Sequence, residues 1–140
     1  ADQTTPLQKQ NEMIPNHNTL LSSTLSKTDT DFSETLLGAI QKKYKDPELD
    51  VHSLADEMGM SRSMLNDKIQ KALGLSIAQF IRTYRLNVAK EMICNGTNKD
   101  MNISEIAYEV GFNDPKYFTR CFTKEFNVTP SEMFKEHNTL

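Results

Sequence analysis

From residue 31 onward, apolar residues recur every three or four positions, a spacing that places them on one face of an α-helix. In the first such stretch the apolar residues are Phe32, Leu36, Ile40 and Tyr44. Asp31, followed by Glu34 three positions later, is typical of a helix N-terminus, and Asp46-Pro47 favours its end. The pattern therefore predicts a first helix that begins after Asp31 and ends before Pro47.

Six further helices are predicted, because N-cap residues precede the apolar stretches and glycine or asparagine follows several of them. Their predicted ranges are 51–58, 62–73, 77–94, 103–110, 115–126 and 131–137. Pro115 stands at a first helical position, where its missing N–H is harmless. The chain shows no pattern of strands, so the sequence predicts an all-α fold.

The helical part contains an internal repeat. Residues 50–55 match residues 102–107 at an offset of 52, and beyond the turn the offset becomes 53, so that Leu65 matches Phe118. Each copy predicts a helix, a tight turn with glycine and a second helix, which together form a helix-turn-helix. The long helix 77–94 joins the two subdomains. At about 27 Å it is long enough to hold two recognition helices about one DNA turn apart.

Residues 1–30 differ from the rest, because they contain few apolar residues among Gln, Asn, Thr and Ser. Such a segment cannot bury enough surface to offset the entropy of its own ordering. The sequence therefore predicts a polar linker or arm over residues 1–30 and a helical domain over residues 31–140.

The candidate DNA contacts lie on the outward faces of the two second helices, 62–73 and 115–126, with the exception of Arg82 on the long helix 77–94. The candidate base contacts are Arg62, Ser63, Asn66, Lys116, Thr119 and Arg120. Arginine and lysine can donate to guanine, and asparagine can pair with adenine. The candidate contacts to the DNA backbone are Gln70, Lys71, Arg82 and Lys124. Asp67 points an anion toward the duplex, so it either accepts from cytosine or neutralises Arg62 or Lys71 on its own helix.

Overall charge does not favour DNA binding, since the chain contains 16 Lys and Arg but 19 Asp and Glu, and its net charge is −3. A DNA-binding domain is usually basic. We expect the cations to be segregated on the two second helices. The alternative to DNA binding, from a different class of function, is a helical protein-interaction adaptor built on a helix-turn-helix scaffold.

Other chemistry has little support in the sequence. Cys94 and Cys121 are too few for a four-ligand zinc site, and no nucleophile–base pair or phosphate-binding loop stands out. We therefore expect no enzymatic activity, no metal and no cofactor. No apolar run is long enough to span a membrane, so no membrane contact is expected. Because two cysteines cannot make a disulfide scaffold, a reducing cytoplasm is the expected location. Arg85 is expected to form an ion pair with Glu105 or Glu109.

Residues 45–140 resemble the DNA-binding domain of AraC/XylS-type transcription regulators. The matching pieces are Ser53-Leu54-Ala55, Gly59-Met60-Ser61, Phe80-Ile81 with Arg85, residues 103–107, Gly111-Phe112, residues 117–126 and Thr129-Pro130-Ser131. The resemblance covers about two thirds of the chain. It implies sequence-specific binding of double-stranded DNA, with helices 62–73 and 115–126 in successive major grooves. One departure is Asp67, which stands where an arginine is usual.

The resemblance also implies partners. Some members of this family are the C-terminal output domains of hybrid two-component regulators, in which a polar linker follows an upstream receiver or sensor domain of the same polypeptide. We expect this organisation here, with the chain acting as a transcription activator. RNA polymerase and a second copy of the chain are the further candidate partners.

Overall fold

The computed structural model describes residues 27–95 and 100–138, and within these ranges the chain forms seven α-helices and no β-strand. The helices are α1 Lys27–Lys43, α2 Val51–Met58, α3 Arg62–Leu73, α4 Ile77–Asn95, α5 Ile103–Glu109, α6 Pro115–Phe126 and α7 Pro130–Asn138. This confirms the predicted all-α fold. Most of the predicted linker or arm lies outside the described residues.

Three helices, α2, α3 and α6, have the predicted bounds at both ends. The start of α1 was predicted wrongly, because the helix begins at Lys27, four residues before Asp31. The backbone carbonyl of Asp31 accepts a hydrogen bond from the Thr35 hydroxyl at 2.9 Å, as an interior helical residue can. Asp31 and Glu34 are both exposed, and the solvent face of a longer helix satisfies the same spacing as a capping box.

Side-chain caps explain why the other boundaries were predictable. Asp50 and Ser61 adopt extended backbone and accept the N–H groups of Ser53 at 2.9 Å and Met64 at 3.1 Å. Asn102 and Glu105 form a reciprocal capping box, in which each side chain accepts the other residue's N–H at 2.8 Å. Each cap satisfies backbone donors that the first turn of a helix leaves unpaired.

The chain divides into two compact units. The described residues of the first unit are 27–43 and 49–81, and those of the second are 44–48, 82–95 and 100–138. The long helix α4 thus begins in the first unit and ends in the second. None of the described helices combines the length and the apolar character needed to cross a membrane.

Each unit has its own buried apolar core. In the first unit, fully buried side chains come from all four helices: Leu36, Ile40, Leu54, Leu65, Ile69 and Phe80. In the second unit they come from α4, α5 and α6: Tyr84, Leu86, Ile93, Ile106, Phe118 and Phe122. The two helix-turn-helix copies therefore bury their second helices through equivalent residues, as the repeat predicts.

Candidate nucleic-acid interface

The first helix-turn-helix consists of α2, a short turn and α3. Gly59 has a φ of 68°, in the left-handed region that favours glycine, and its N–H donates to the Asp56 carbonyl at 3.0 Å. The Met60 N–H donates to the Ala55 carbonyl at 3.0 Å, which closes the turn. Ser61 then caps α3, so the direction of α3 is fixed by local hydrogen bonds.

One face of α3 is buried and the opposite face is in solvent. Leu65 and Ile69 are fully buried. The five residues predicted on this helix as DNA contacts are all exposed: Arg62, Ser63, Asn66, Gln70 and Lys71. Three of them, Arg62, Ser63 and Asn66, line a cavity of about 310 Å³ together with residues 76–78 at the start of α4 and Val51.

Asn66 also has a structural role that was not predicted. Its side-chain oxygen accepts a hydrogen bond from the Ile77 N–H at 3.3 Å, at the first turn of α4. This bond occupies one lone pair of the oxygen and leaves the side-chain NH2 group with its donors. The two residues are eleven positions apart, so no local pattern in the sequence indicates the contact.

The charges on α3 are partly neutralised. A carboxylate oxygen of Asp67 lies 3.2 Å from the Lys71 ammonium nitrogen, and both side chains are exposed. An exposed pair of this kind contributes little stability, at most about 1 kcal/mol. Of the alternatives left open for Asp67, the structure shows the ion pair with Lys71. The Arg62 guanidinium instead lies 3.3 Å from the Nε2 atom of His52.

The second helix-turn-helix consists of α5, its turn and α6. Gly111 has a φ of 104°, and the Phe112 N–H donates to the Ala107 carbonyl at 3.0 Å. Asp114 accepts the Lys116 N–H at 3.0 Å, and Pro115 occupies the first helical position. Asn127 ends α6 at a φ of 61°, and it is the one non-glycine residue of the described ranges with a positive φ.

The aromatic residues of α6 form a core. Phe118 and Phe122 are fully buried, and the ring centroids of Phe112 and Phe118 lie 5.1 Å apart in an edge arrangement. The rings of Phe122 and Phe126 are 4.7 Å apart. Edge-to-face pairs of this kind add to the free energy of burial. These aromatic residues therefore pack with one another.

Opposite this core, α6 carries three exposed cations, Lys116, Arg120 and Lys124, at a spacing of four residues. This spacing places them in one row along the helix. Thr119 beside the row is half-buried, and its carbonyl accepts the Thr123 hydroxyl at 2.8 Å. The Arg120 guanidinium lies over the ring of Tyr117, 5.6 Å from its centroid.

Arg82 and Arg85 lie on the part of α4 that belongs to the second unit. Arg82 is half-buried and lies on neither of the two second helices, α3 and α6. Arg85 donates from Nε to the Tyr44 carbonyl at 2.9 Å and from a terminal nitrogen to the Asp46 carbonyl at 2.8 Å. Burial lowers the pKa of its guanidinium, and the charge of Asp46 acts in the opposite direction.

The ion pair expected between Arg85 and Glu105 or Glu109 was therefore wrong. Glu105 serves the capping box of α5, and Glu109 lies 2.9 Å from the Lys45 ammonium nitrogen. The hydrogen bond that the Lys45 ammonium group donates to the Glu109 carboxylate raises the pKa of Lys45. Residues 44–48 follow the end of α1, where carbonyls have no helical partner, and Arg85 supplies the missing donors.

A family model described as a helix-turn-helix domain matches residues 54–136, more than half of the chain. The match includes both turns and both second helices described above. This chain belongs to the AraC-type helix-turn-helix family. The resemblance read from the sequence is thereby confirmed.

Individual relatives agree with the family. This AraC-type domain is 36% identical over 116 residues to Histidine kinase P4 of Formosa agariphila, across 83% of this chain and 8% of that protein. It is 32% identical over 90 residues to the Probable transcription factor PqrA of Proteus vulgaris, across 64% of this chain and 70% of PqrA. The chain thus spans only a small part of the first relative.

A solved structure shows the same fold. The DNA-binding domain of AdpA, crystallised in complex with a target DNA, has a TM-score of 0.65 and 21% identity over 74% of this chain and 89% of its own. At this identity the likeness concerns the fold alone.

The two units of this AraC-type domain differ in the charge of their outward rows. The repeat equates Ser63, Asp67 and Lys71 of the first unit with Lys116, Arg120 and Lys124 of the second. The first row contains one ion pair, whereas the second contains three cations. Among the residues with described side chains, no three His, Cys, Asp or Glu are grouped so that they could hold a metal ion.

Proposed function

We propose that this AraC-type domain binds double-stranded DNA sequence-specifically, as the DNA-binding part of a transcription regulator. The observation that carries the proposal is the row of three exposed cations on α6, opposite the buried aromatic core. A helix-turn-helix places its second helix in the major groove with its outward residues against base edges. The exposed polar face of α3 supports the same role for the first unit.

Each candidate residue has a role in this proposal. Lys116, Thr119 and Arg120 read bases from α6, where the cations can donate to guanine O6 and N7. Arg62, Ser63 and Asn66 read bases from α3, with Asn66 acting through its side-chain NH2 group because its oxygen binds the Ile77 N–H. Gln70, Lys71, Arg82 and Lys124 contact phosphates, which position the protein without specifying sequence.

The units contribute unequally in this proposal. Neutralising phosphates supplies most of the salt-dependent affinity. The row on α6 brings three cations to the duplex, whereas the pair of Asp67 and Lys71 brings almost no net charge. We therefore assign most of the binding free energy to the second unit and a narrower, base-reading role to the first.

For the whole protein we propose a regulator in which an upstream receiver or sensor domain of the same polypeptide controls this domain. The relative named a histidine kinase supports this organisation, because the matched region is a small part of a much longer chain. The residues before α1 are then the linker. A cytoplasmic location and activation of transcription, through RNA polymerase and with a second copy of the chain, belong to the same proposal.

The proposal is tested by selecting bound oligonucleotides from a random duplex pool with the 140-residue chain. The selected duplex is then compared with a scrambled duplex by fluorescence anisotropy at two salt concentrations. We expect tighter binding of the selected duplex, by a factor of about 10³ or more, and weaker binding of both at higher salt. A chain that enriches no sequence and shows no salt-sensitive retention of DNA is instead the protein-interaction adaptor.

Two substitutions on the same row separate base reading from phosphate contact. Arg120→Ala is expected to cost about 1–3 kcal/mol and to relax the preference at one base position. Lys124→Ala is expected to weaken all duplexes alike and to reduce the slope of log Kd against log salt by about 1. Repeating the selection with each variant measures both effects. An unchanged preference in Arg120→Ala, or a sequence-selective loss in Lys124→Ala, contradicts the assigned roles.

A further inference from the structure

Tyr117 is an exposed aromatic residue whose ring is held on one side. The ring packs against Phe112, with centroids 6.0 Å apart and planes inclined by 52°. The residue is nevertheless 42% exposed, one of three large apolar side chains of this kind in the described residues. Because Phe112 belongs to the buried core, one side of the Tyr117 ring is anchored while the rest is open to solvent.

The guanidinium of Arg120 lies over this ring, 5.6 Å from its centroid. The two residues are three positions apart on α6 and so lie one above the other. A guanidinium within about 6 Å of an aromatic centroid is attracted by the ring's quadrupole, by about 0.5–1 kcal/mol at an exposed site. Along its row, Arg120 lies between two like charges, Lys116 and Lys124. The ring therefore attracts a cation that its neighbours in the row repel.

The first unit lacks this arrangement. The repeat equates Tyr117 with Met64 and Arg120 with Asp67. Met64 is also exposed, at 51%, but its partner three positions later is an anion paired with Lys71. Exposure at this position is thus common to both units, whereas only the second unit pairs an aromatic ring with a cation at this position.

We propose that Tyr117 is a positioning residue, which holds the Arg120 guanidinium in the orientation that reads a base. A free arginine side chain loses rotamer entropy when it is fixed. A side chain that is already held loses less of this entropy on binding. The contact between Arg120 and its base then contributes more to the difference in affinity between duplexes. The inference rests on the proposed function, because it concerns the base read by Arg120.

The test is a double-mutant cycle on the 140-residue chain, with the preference at the Arg120 base position as readout. Tyr117→Met, which introduces the residue of the equivalent position in the first unit, is expected to reduce this preference about 2- to 5-fold. Tyr117→Phe keeps the ring and is expected to retain the preference. In the Arg120→Ala background, Tyr117→Met is expected to cause no further change in this preference.

Tyr108→Met is the matched control, because Tyr108 is 54% exposed on α5 and lies outside the second helix. It is expected to leave the preference unchanged. Circular dichroism checks that each variant is folded, and Tyr117→Leu replaces Tyr117→Met should the latter not fold. An equal loss for all duplexes in both backgrounds would mean that Tyr117 only stabilises the fold, and this would overturn the inference.

Failure of the inference is distinct from failure of the proposed function. If the unsubstituted chain selects a sequence and Arg120→Ala relaxes it, but Tyr117→Met and Tyr117→Phe both retain the preference, only the positioning role is overturned. If the unsubstituted chain selects no sequence, the proposed function and the positioning role are overturned together.

Discussion

Replacing Gly111 by alanine is expected to destabilise the second unit by about 3–6 kcal/mol. The residue has a φ of 104°, where an L side chain is strained. A Cβ added here would overlap the backbone carbonyl oxygen of Tyr44 and lie 2.6 Å from the Arg85 Nε atom. One of these groups must then move, and the hydrogen bond from Arg85 to Tyr44 is lost or weakened.

Two other glycines provide matched controls. Gly59, at the equivalent turn of the first unit, has a φ of 68° but no atom within 4 Å of an added Cβ. Gly59→Ala therefore costs only the backbone strain, about 1–2 kcal/mol. Gly38 lies inside α1 with open space around it, and Gly38→Ala is expected to stabilise by up to about 1 kcal/mol.

Urea denaturation followed by circular dichroism measures all three variants. The geometry predicts that Gly111→Ala is the most destabilising, followed by Gly59→Ala and then Gly38→Ala. Equal decreases in the free energy of unfolding for Gly111→Ala and Gly59→Ala would show that the approach of Tyr44 and Arg85 to Gly111 does not constrain the fold.

Local signals in the sequence predicted most of this fold, because the forces that end helices act within a few residues. Ser61 and Gly74 bound α3 through hydrogen bonds to residues three or four positions away. The repeat then supported each boundary twice. The start of α1 could not be predicted in this way, because exposed residues such as Asp31 satisfy a capping pattern without forming a cap.

The candidate surface was predictable for the same reason, since a helical wheel separates Leu65 and Phe118 from the polar residues opposite them. Contacts between distant segments could not be predicted from the sequence. Arg85 binds carbonyls 41 and 39 positions away, and Asn66 caps a helix eleven positions later. Charge and spacing alone favoured an acidic partner for Arg85, but the unpaired carbonyls after α1 provide its acceptors.

The charge asymmetry between the units leads to a gain-of-function prediction. Asp67→Arg removes the anion on α3, adds a cation and frees Lys71 from its ion pair. The new arginine then joins Lys71 at the phosphates, and no anion on this row offsets the two charges. The change is expected to tighten binding of any duplex by on the order of 50- to 100-fold at about 0.1 M salt, and to steepen the slope of log Kd against log salt by about 1.8.

The sequence preference should weaken as affinity rises. Contacts to phosphates strengthen binding to selected and scrambled duplexes alike, so the ratio of the two affinities does not grow with them. The new arginine also competes with Ser63 and Asn66 for base edges on the same face. Anisotropy titrations of both duplexes at several salt concentrations measure affinity, slope and ratio together.

Asp56→Arg is the matched control, because Asp56 is an exposed aspartate on α2 and the change in net charge is identical. Long-range attraction alone is largely screened beyond about 10 Å at this salt concentration. Asp56→Arg should therefore change affinity only a few fold. If the affinity for DNA rises equally in the two variants, net charge rather than position determines the increase, and α3 does not face the duplex. If the affinity of Asp67→Arg rises far more, the outward row of the first unit lies against DNA, and its ion pair limits non-specific affinity in the natural chain.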